Sequence, residues 1–322
     1  MTVYALDLPI QASGGQQHVE EALQGTSREP ANYSFAAADG TEMVYHVSGS
    51  GSRLLVAVAP GWGPGINYLS TGFHPIADSN KVTLVCVQPR GSFPSGNPTD
   101  ETRMSSRHMA ADLDTLRKHL KQDQISVMGH SNGAAISLAY AEDFASHCSK
   151  AILIETQCIG YEGFMPHIMK SLEARKEDPR FADCVTTFLT TSRDFKNDEE
   201  ATEYITKILP MYFVKPETAF PAFINTMGNP PPPIRHWAYV KQNAADDKPE
   251  AALVKGLEKV TAEVLVITGA QDFIIGVEGS QFVVDGVTAA KSRKHVVYKE
   301  SGHMPWIEEK EAFFKDVLEF LV

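Results

Sequence analysis

Val127-Met128-Gly129-His130-Ser131-Asn132-Gly133-Ala134-Ala135 places a G-x-S-x-G spacing between an apolar run and a stretch of small residues. That context predicts a tight turn from a buried strand into a helix, with the Ser131 side chain thrust outward at its apex. Neighbours two residues before and two after the apex crowd such a turn. Glycine at 129 and 133 removes the Cβ atoms that would clash. The Ser131 hydroxyl then stands at the C-terminal edge of a sheet. The Asn132 N–H, opening the next helix, points toward any negative charge developing beside it. Glycine and serine are common in turns, so the spacing alone is weak; the strand–turn–helix setting gives it meaning.

Working outward, residues 54–59, 82–87, 125–128, 151–154, 264–268 and 296–298 read as short, continuously apolar, buried strands. Residues 33–37 and 43–47 flank Asp39-Gly40 as a hairpin. Met109, Leu113, Leu116 and Leu120 recur on one helical face, and residues 134–141 open another helix. The chain closes on a helix carrying Phe313, Phe314, Val317, Leu318 and Phe320. Strands apolar on both faces alternating with helices imply an α/β fold with a mostly parallel central sheet covered on both sides. From 159 to 256 the alternation stops. That interval is rich in Met and aromatic residues, holds Pro230-Pro231-Pro232-Pro233, and reads as a helical cap inserted between two strands. The expected organisation is an N-terminal extension over 1–32, a core over 33–158 and 257–322, and the cap over 159–256.

A serine hydroxyl is a weak nucleophile and needs a base that a third group orients. Asp272, in Thr268-Gly269-Ala270-Gln271-Asp272, and His303, in Ser301-Gly302-His303-Met304-Pro305-Trp306, each follow a strand, acid before histidine. Ser131, Asp272 and His303 are therefore the candidate catalytic residues. Glu155, ending the strand 151–154, is a rival acid, and His130 is expected to be a turn residue. A second oxyanion donor belongs in the loop after the strand 54–59, where Pro60-Gly61-Trp62-Gly63-Pro64-Gly65 lies. Trp62 is the expected donor beside Asn132, with Gly63 as the alternative register.

Together these residues resemble the α/β-hydrolase superfamily, most closely its proline-iminopeptidase-like branch. The resemblance rests on Gly63-Pro64-Gly65, Arg90-Gly91-Ser92, the turn at Ser131, Gly269 to Asp272, and Gly302-His303 with Pro305-Trp306. It implies an α/β-hydrolase fold and acyl transfer through Ser131. The chain departs from the family pattern at Pro60, where a histidine is usual, at Gln88, where an acid is usual, and at Phe93, where a glycine is usual. No glutamate here aligns with the acids by which the iminopeptidase branch reads a free amino group.

The 322 residues carry 29 Lys and Arg against 40 Asp and Glu, a net charge of −11, with 43% hydrophobic residues. That balance argues against nucleic-acid binding and against docking on anionic membranes, which need clustered cations. No apolar run nears the ~20 residues of a membrane span. The first residues show neither a basic nor an apolar signal region, and the expected location is cytoplasmic. Cys86, Cys148, Cys158 and Cys184 match no zinc spacing and are expected to be reduced thiols. No phosphate-cradling loop or metal motif is visible, so no cofactor is expected. The expected activity is hydrolysis of an ester, lactone or amide of a small, largely apolar molecule. A non-hydrolytic acid–base reaction with the same triad, a prolyl-aminopeptidase and a ligand receptor that retains the pocket are the alternatives. Oligomeric state is not encoded in any recognisable pattern.

Overall fold

Along Arg53–Val58 (β4), successive side chains alternate between two hydrophobic cores: Leu54, Val56 and Val58 in one, Leu55 and Ala57 in the other. A strand with period-two side chains that are apolar at every position must be covered on both faces. The computed structural model describes residues 4–27 and 29–322, and shows this covering for β4 and its neighbours β5 and β6. Ile10–Gln11 (β1), Ala31–Ala36 (β2), Glu42–Ser48 (β3), β4, Val82–Gln88 (β5), Ile125–His130 (β6), Cys148–Ile154 (β7), Glu263–Gly269 (β8) and Ser292–Tyr298 (β9) form one sheet. Their order is β1-β2-β3-β5-β4-β6-β7-β8-β9. β3 runs antiparallel to both β2 and β5; all other pairs are parallel.

The helices are Gly15–Leu23 (α1), Asn67–Gly72 (α2), His74–Ala77 (α3), Ser106–His119 (α4) and Asn132–Asp143 (α5). Phe164–Arg175 (α6), Ala182–Thr190 (α7), Asp198–Ile208 (α8), Pro216–Met227 (α9) and His236–Asp246 (α10) all lie between β7 and β8. Gly276–Gly286 (α11), Pro305–Glu308 (α12) and Lys310–Leu321 (α13) follow. A third hydrophobic cluster, including Leu172, Phe181, Tyr204, Met211 and Phe273, knits α6 to α8 to each other and to the loop after β8.

The chain leaves β4 toward β5 on one side and returns to β6 on the other. This reversal opens a crevice at the C-terminal ends of β4 and β6, where α/β sheets place their ligands. Val58 pairs with Gly129, so the loop after β4 lies beside the turn after β6.

One expectation is corrected. The strand at 296–298 is not buried: β9 is the sheet edge, and only Tyr298 along it is buried. The N-terminal extension has structure of its own, with β1 paired to β2 and α1 burying Val19 and Ala22. Gly15 lets α1 approach, since a Cβ there would strike the rings of Tyr33 and Tyr45. Residues 1–3 and 28 of that extension lie outside the described residues. All four cysteines are free and buried, and burial pushes the Cys86, Cys148 and Cys158 thiols up to about 12. Among the described residues, no helix is long and apolar enough to cross a membrane.

Candidate active site

Ser131 joins β6 to α5 with φ 57° and ψ −120°, a backbone conformation that L-residues rarely adopt. Hydrogen bonds over-determine it. The Ser131 N–H donates to the Ile154 carbonyl at 2.8 Å, and its own carbonyl accepts from the Ala134 and Ala135 amides at 3.0 and 3.2 Å. A Cβ at Gly129 would run into the Gly133 carbonyl, and one at Gly133 into the Val58 carbonyl. Both glycines are thus required by close backbone approach, as the spacing implied.

Asp272 follows β8 and is 2% exposed. Its carboxylate accepts from the Ile274 amide at 2.9 Å, the Ile275 amide at 3.2 Å and His303 Nδ1 at 2.8 Å. Burial disfavours its charge, but the His303 imidazole, the neighbouring Glu155 carboxyl and the Ile274 amide outweigh burial. They hold Asp272 well below the usual carboxylate range. His303 is 1% exposed, and its N–H donates to the Tyr212 carbonyl at 2.7 Å. With Nδ1 engaged by Asp272, Nε2 is the nitrogen left for proton transfer. Ser131 Oγ and His303 make no hydrogen bond among the described residues. His130, next to Ser131 in sequence, has its ring 4.6 Å from the His303 ring.

Glu155 is fully buried, with φ 47° directly after β7. One of its oxygens accepts from the Gly269 amide, and Oε2 has no partner. Burial, then the neighbouring Asp272 charge, push its carboxyl well above the usual range. Potential ligand atoms of Glu155, Asp272 and His303 lie within 4.8 Å of one another, the one such cluster among the described residues. The imidazole Nδ1 bond goes to Asp272, and Glu155 stands behind that carboxylate.

Asn132 is the first residue of α5, so its N–H has no acceptor within the helix. The Asn132 side-chain oxygen accepts the Gly61 N–H at 3.1 Å, which occupies that amide and leaves those of Trp62 and Gly63 beyond it. Gly63 adopts φ +96° beside Arg235, and the Trp62 ring lies edge-on to Tyr239 at 6.3 Å.

Four side chains make contacts at the site that the sequence did not reveal. His130 is a packed residue rather than a simple turn residue. Its Nε2 donates to the His303 carbonyl at 2.9 Å, and burial, reinforced by His303, lowers its pKa well below the usual histidine value. The Tyr212 ring packs 4.9 Å from His303. Gln242 and Asp246 on α10 reach Asn132. Only the i,i+4 spacing of the last pair, which puts both on one helix face, was available as a signal.

Comparison with known proteins identifies the family. A sequence profile described as alpha/beta hydrolase fold matches residues 59–310. A proline iminopeptidase from Saccharolobus solfataricus is 23% identical over 295 residues, covering 86% of this chain and 87% of the relative. The AB hydrolase superfamily protein YclE from Bacillus subtilis is 24% identical over 291 residues, covering 86% of this chain and 94% of its own. Among solved structures, an esterase from Exiguobacterium antarcticum superposes with TM-score 0.66 at 21% identity, over 89% of this chain and 98% of that one. With a mostly parallel sheet, a strained serine at its edge and a match over most of its length, this chain belongs to the α/β-hydrolase family and is an enzyme of that type.

Proposed function

We propose that the protein is a serine hydrolase that cleaves an ester, lactone or amide of a small, largely apolar substrate through an acyl-enzyme on Ser131. The observation that carries this reading is a serine locked at positive φ on the sheet edge where Asp272 orders the buried His303 imidazole. His303 Nε2 takes the Ser131 proton as Oγ attacks the acyl carbon. Asp272, kept ionised, holds the Nδ1–H tautomer and stabilises the imidazolium. The Asn132 and Trp62 amides receive the oxyanion, and His303 returns the proton to the leaving group. A water activated by the same imidazole then frees the acid.

Helices α6 to α10 act as a cap over this edge. An apolar substrate is supported by the aromatic cluster in which Trp62, Tyr212, Tyr239 and Phe273 join the oxyanion loop to those helices. The test is Ser131→Ala, measured with p-nitrophenyl esters, lactones and prolyl amides and by fluorophosphonate labelling. Turnover is expected to fall by roughly 10⁶-fold and labelling to vanish. Turnover retained in the variant would remove acyl-enzyme chemistry. Cleavage confined to prolyl amides would make the enzyme an aminopeptidase instead.

A further inference from the structure

The strongest polar network outside the triad joins four remote segments at one buried point. Asp246, the last residue of α10, accepts the Ser106 N–H at 2.7 Å and the Ser106 hydroxyl at 2.8 Å. Ser106 opens α4, so Asp246 satisfies an amide that the helix itself leaves unpaired and sits favourably at its positive end. One turn earlier on α10, Gln242 Nε2 donates to Asn132 Oδ1 at 2.5 Å and toward Asp246 Oδ2 at 3.3 Å. Asn132 Nδ2 donates in turn toward Asp246 Oδ2 at 3.4 Å. Asn132 Oδ1 also accepts the Gly61 N–H, so Gln242 and the oxyanion loop share one acceptor. Gly61 packs so closely that a Cβ there would meet the Met109 side chain and, at 3.1 Å, the Gln242 amide carbon. A further turn back along α10, Tyr239 braces the Trp62 ring.

This arrangement exceeds what docking a helix requires. Gln242 is 1% exposed, and its Oε1 has no partner, so a polar side chain is kept buried with one acceptor unsatisfied. Its shortest hydrogen bond runs to the side chain of the residue whose backbone amide opens α5, and that side chain in turn holds the Gly61 N–H.

We propose that Gln242 and Asp246 are positioning residues that lock Asn132 and Gly61 so that the Asn132 and Trp62 amides converge on one oxyanion. Catalysis then depends on α10 being seated, although α10 contributes no reacting atom. The inference rests on the reading of those two amides as the oxyanion hole.

The experiment compares Gln242→Leu, Asp246→Asn, Asn132→Ala and Gln242→Leu/Asn132→Ala with the parent enzyme, each checked for folding by circular dichroism. Steady-state kinetics on a p-nitrophenyl ester and the rate of fluorophosphonate labelling are the readouts. In Gln242→Leu, kcat and the labelling rate are expected to fall together by ~10- to 100-fold, since amides misaligned by about 1 Å lose most of their effect. KM should stay within about threefold, because ground-state binding is not the target. Asp246→Asn, which keeps one acceptor oxygen, should show a smaller loss of the same kind. The double variant should lose no more than Asn132→Ala alone, the signature of two residues acting through one group. Unchanged kcat and labelling in a folded Gln242→Leu protein overturn the proposal. So does a rise in KM alone, or additive losses in the double variant. If Gln242→Leu does not fold, Asp246→Asn decides by the same split between kcat and KM. Labelling abolished by Ser131→Ala but untouched by Gln242→Leu rejects only this inference; labelling that survives Ser131→Ala rejects the acyl-enzyme reading itself.

Discussion

Helices α5 and α6 each have twelve residues, yet they live under opposite constraints. In α5 every residue except Asp143 is buried. Its Gly133-Ala134-Ala135 opening is small because β4, β6 and the turn at Ser131 leave no room for more. In α6 only Ile168 and Leu172 are buried, while Met165 and Met169 are 58% and 49% exposed. One helix is the rigid mount of Ser131, the proposed nucleophile. The other, part of the proposed cap, is one-sided and held by a narrow apolar stripe. A catalytic group must be held within a fraction of an ångström, and a cover need only close over the site. The two regions therefore carry different amounts of information about function.

Four measurements sharpen or break that contrast. Gly133→Ala should have the largest effect, because the new Cβ meets the Val58 carbonyl and neighbouring backbone that cannot rotate away. The loss is expected to exceed the ~3 kcal/mol typical of overpacking, with little folded, active protein recovered. A variant of parental stability in urea denaturation would contradict the rigid-mount picture. Next come matched truncations. Leu138→Ala in α5 is expected to cost about 4 kcal/mol and Leu172→Ala in α6 about 2 kcal/mol, the two ends of the range set by how well the site can collapse. Equal costs would erase the distinction between mount and cover.

The third concerns acid. His46 on β3 is buried against Asn32, and burial, then the charges of His18 and His74, lower its pKa from 6.5 to about 4. The unfolded chain takes up that proton first, so stability is complete above pH 6.5 and is lost as pH falls toward 4. Between pH 8 and pH 5 the group should account for about 2 kcal/mol of lost stability. His46→Gln should flatten that part of the stability–pH curve; an unaltered slope would place the sensitivity elsewhere. The smallest effect belongs to the cover: Met169→Gln should shift stability by no more than about 0.5 kcal/mol. A larger loss would mean that α6 is anchored by more than Ile168 and Leu172.

The contrast also explains what could be read in advance. The strands at 54–59, 82–87, 125–128, 151–154 and 264–268 were legible because burial on both faces demands unbroken apolar runs. The same signature misled at β9, whose Val296 and Val297 sit on an edge with little covering them. The turn at Ser131 was legible because its geometry admits only small neighbours at 129 and 133. Asp272 and His303 were found from strand ends and chain order. Their choice over Glu155 depended on where two carboxyls lie around one imidazole, which no spacing encodes. Tyr212 escaped notice, and His130 was read only as a turn residue, since an aromatic or a histidine packed on a site residue looks, in sequence, like any other core residue.

By itself, the sequence determined the α/β alternation, the strained serine turn and the strand ends from which acid and base must come, because local sterics and burial allow few residue types there. Tertiary structure alone decided that Asp272 rather than Glu155 meets His303, and that Gln242 and Asp246 reach across to Asn132. Those outcomes depend on segments 31 to 114 residues apart arriving at one point, and such a convergence leaves no periodic trace along the chain.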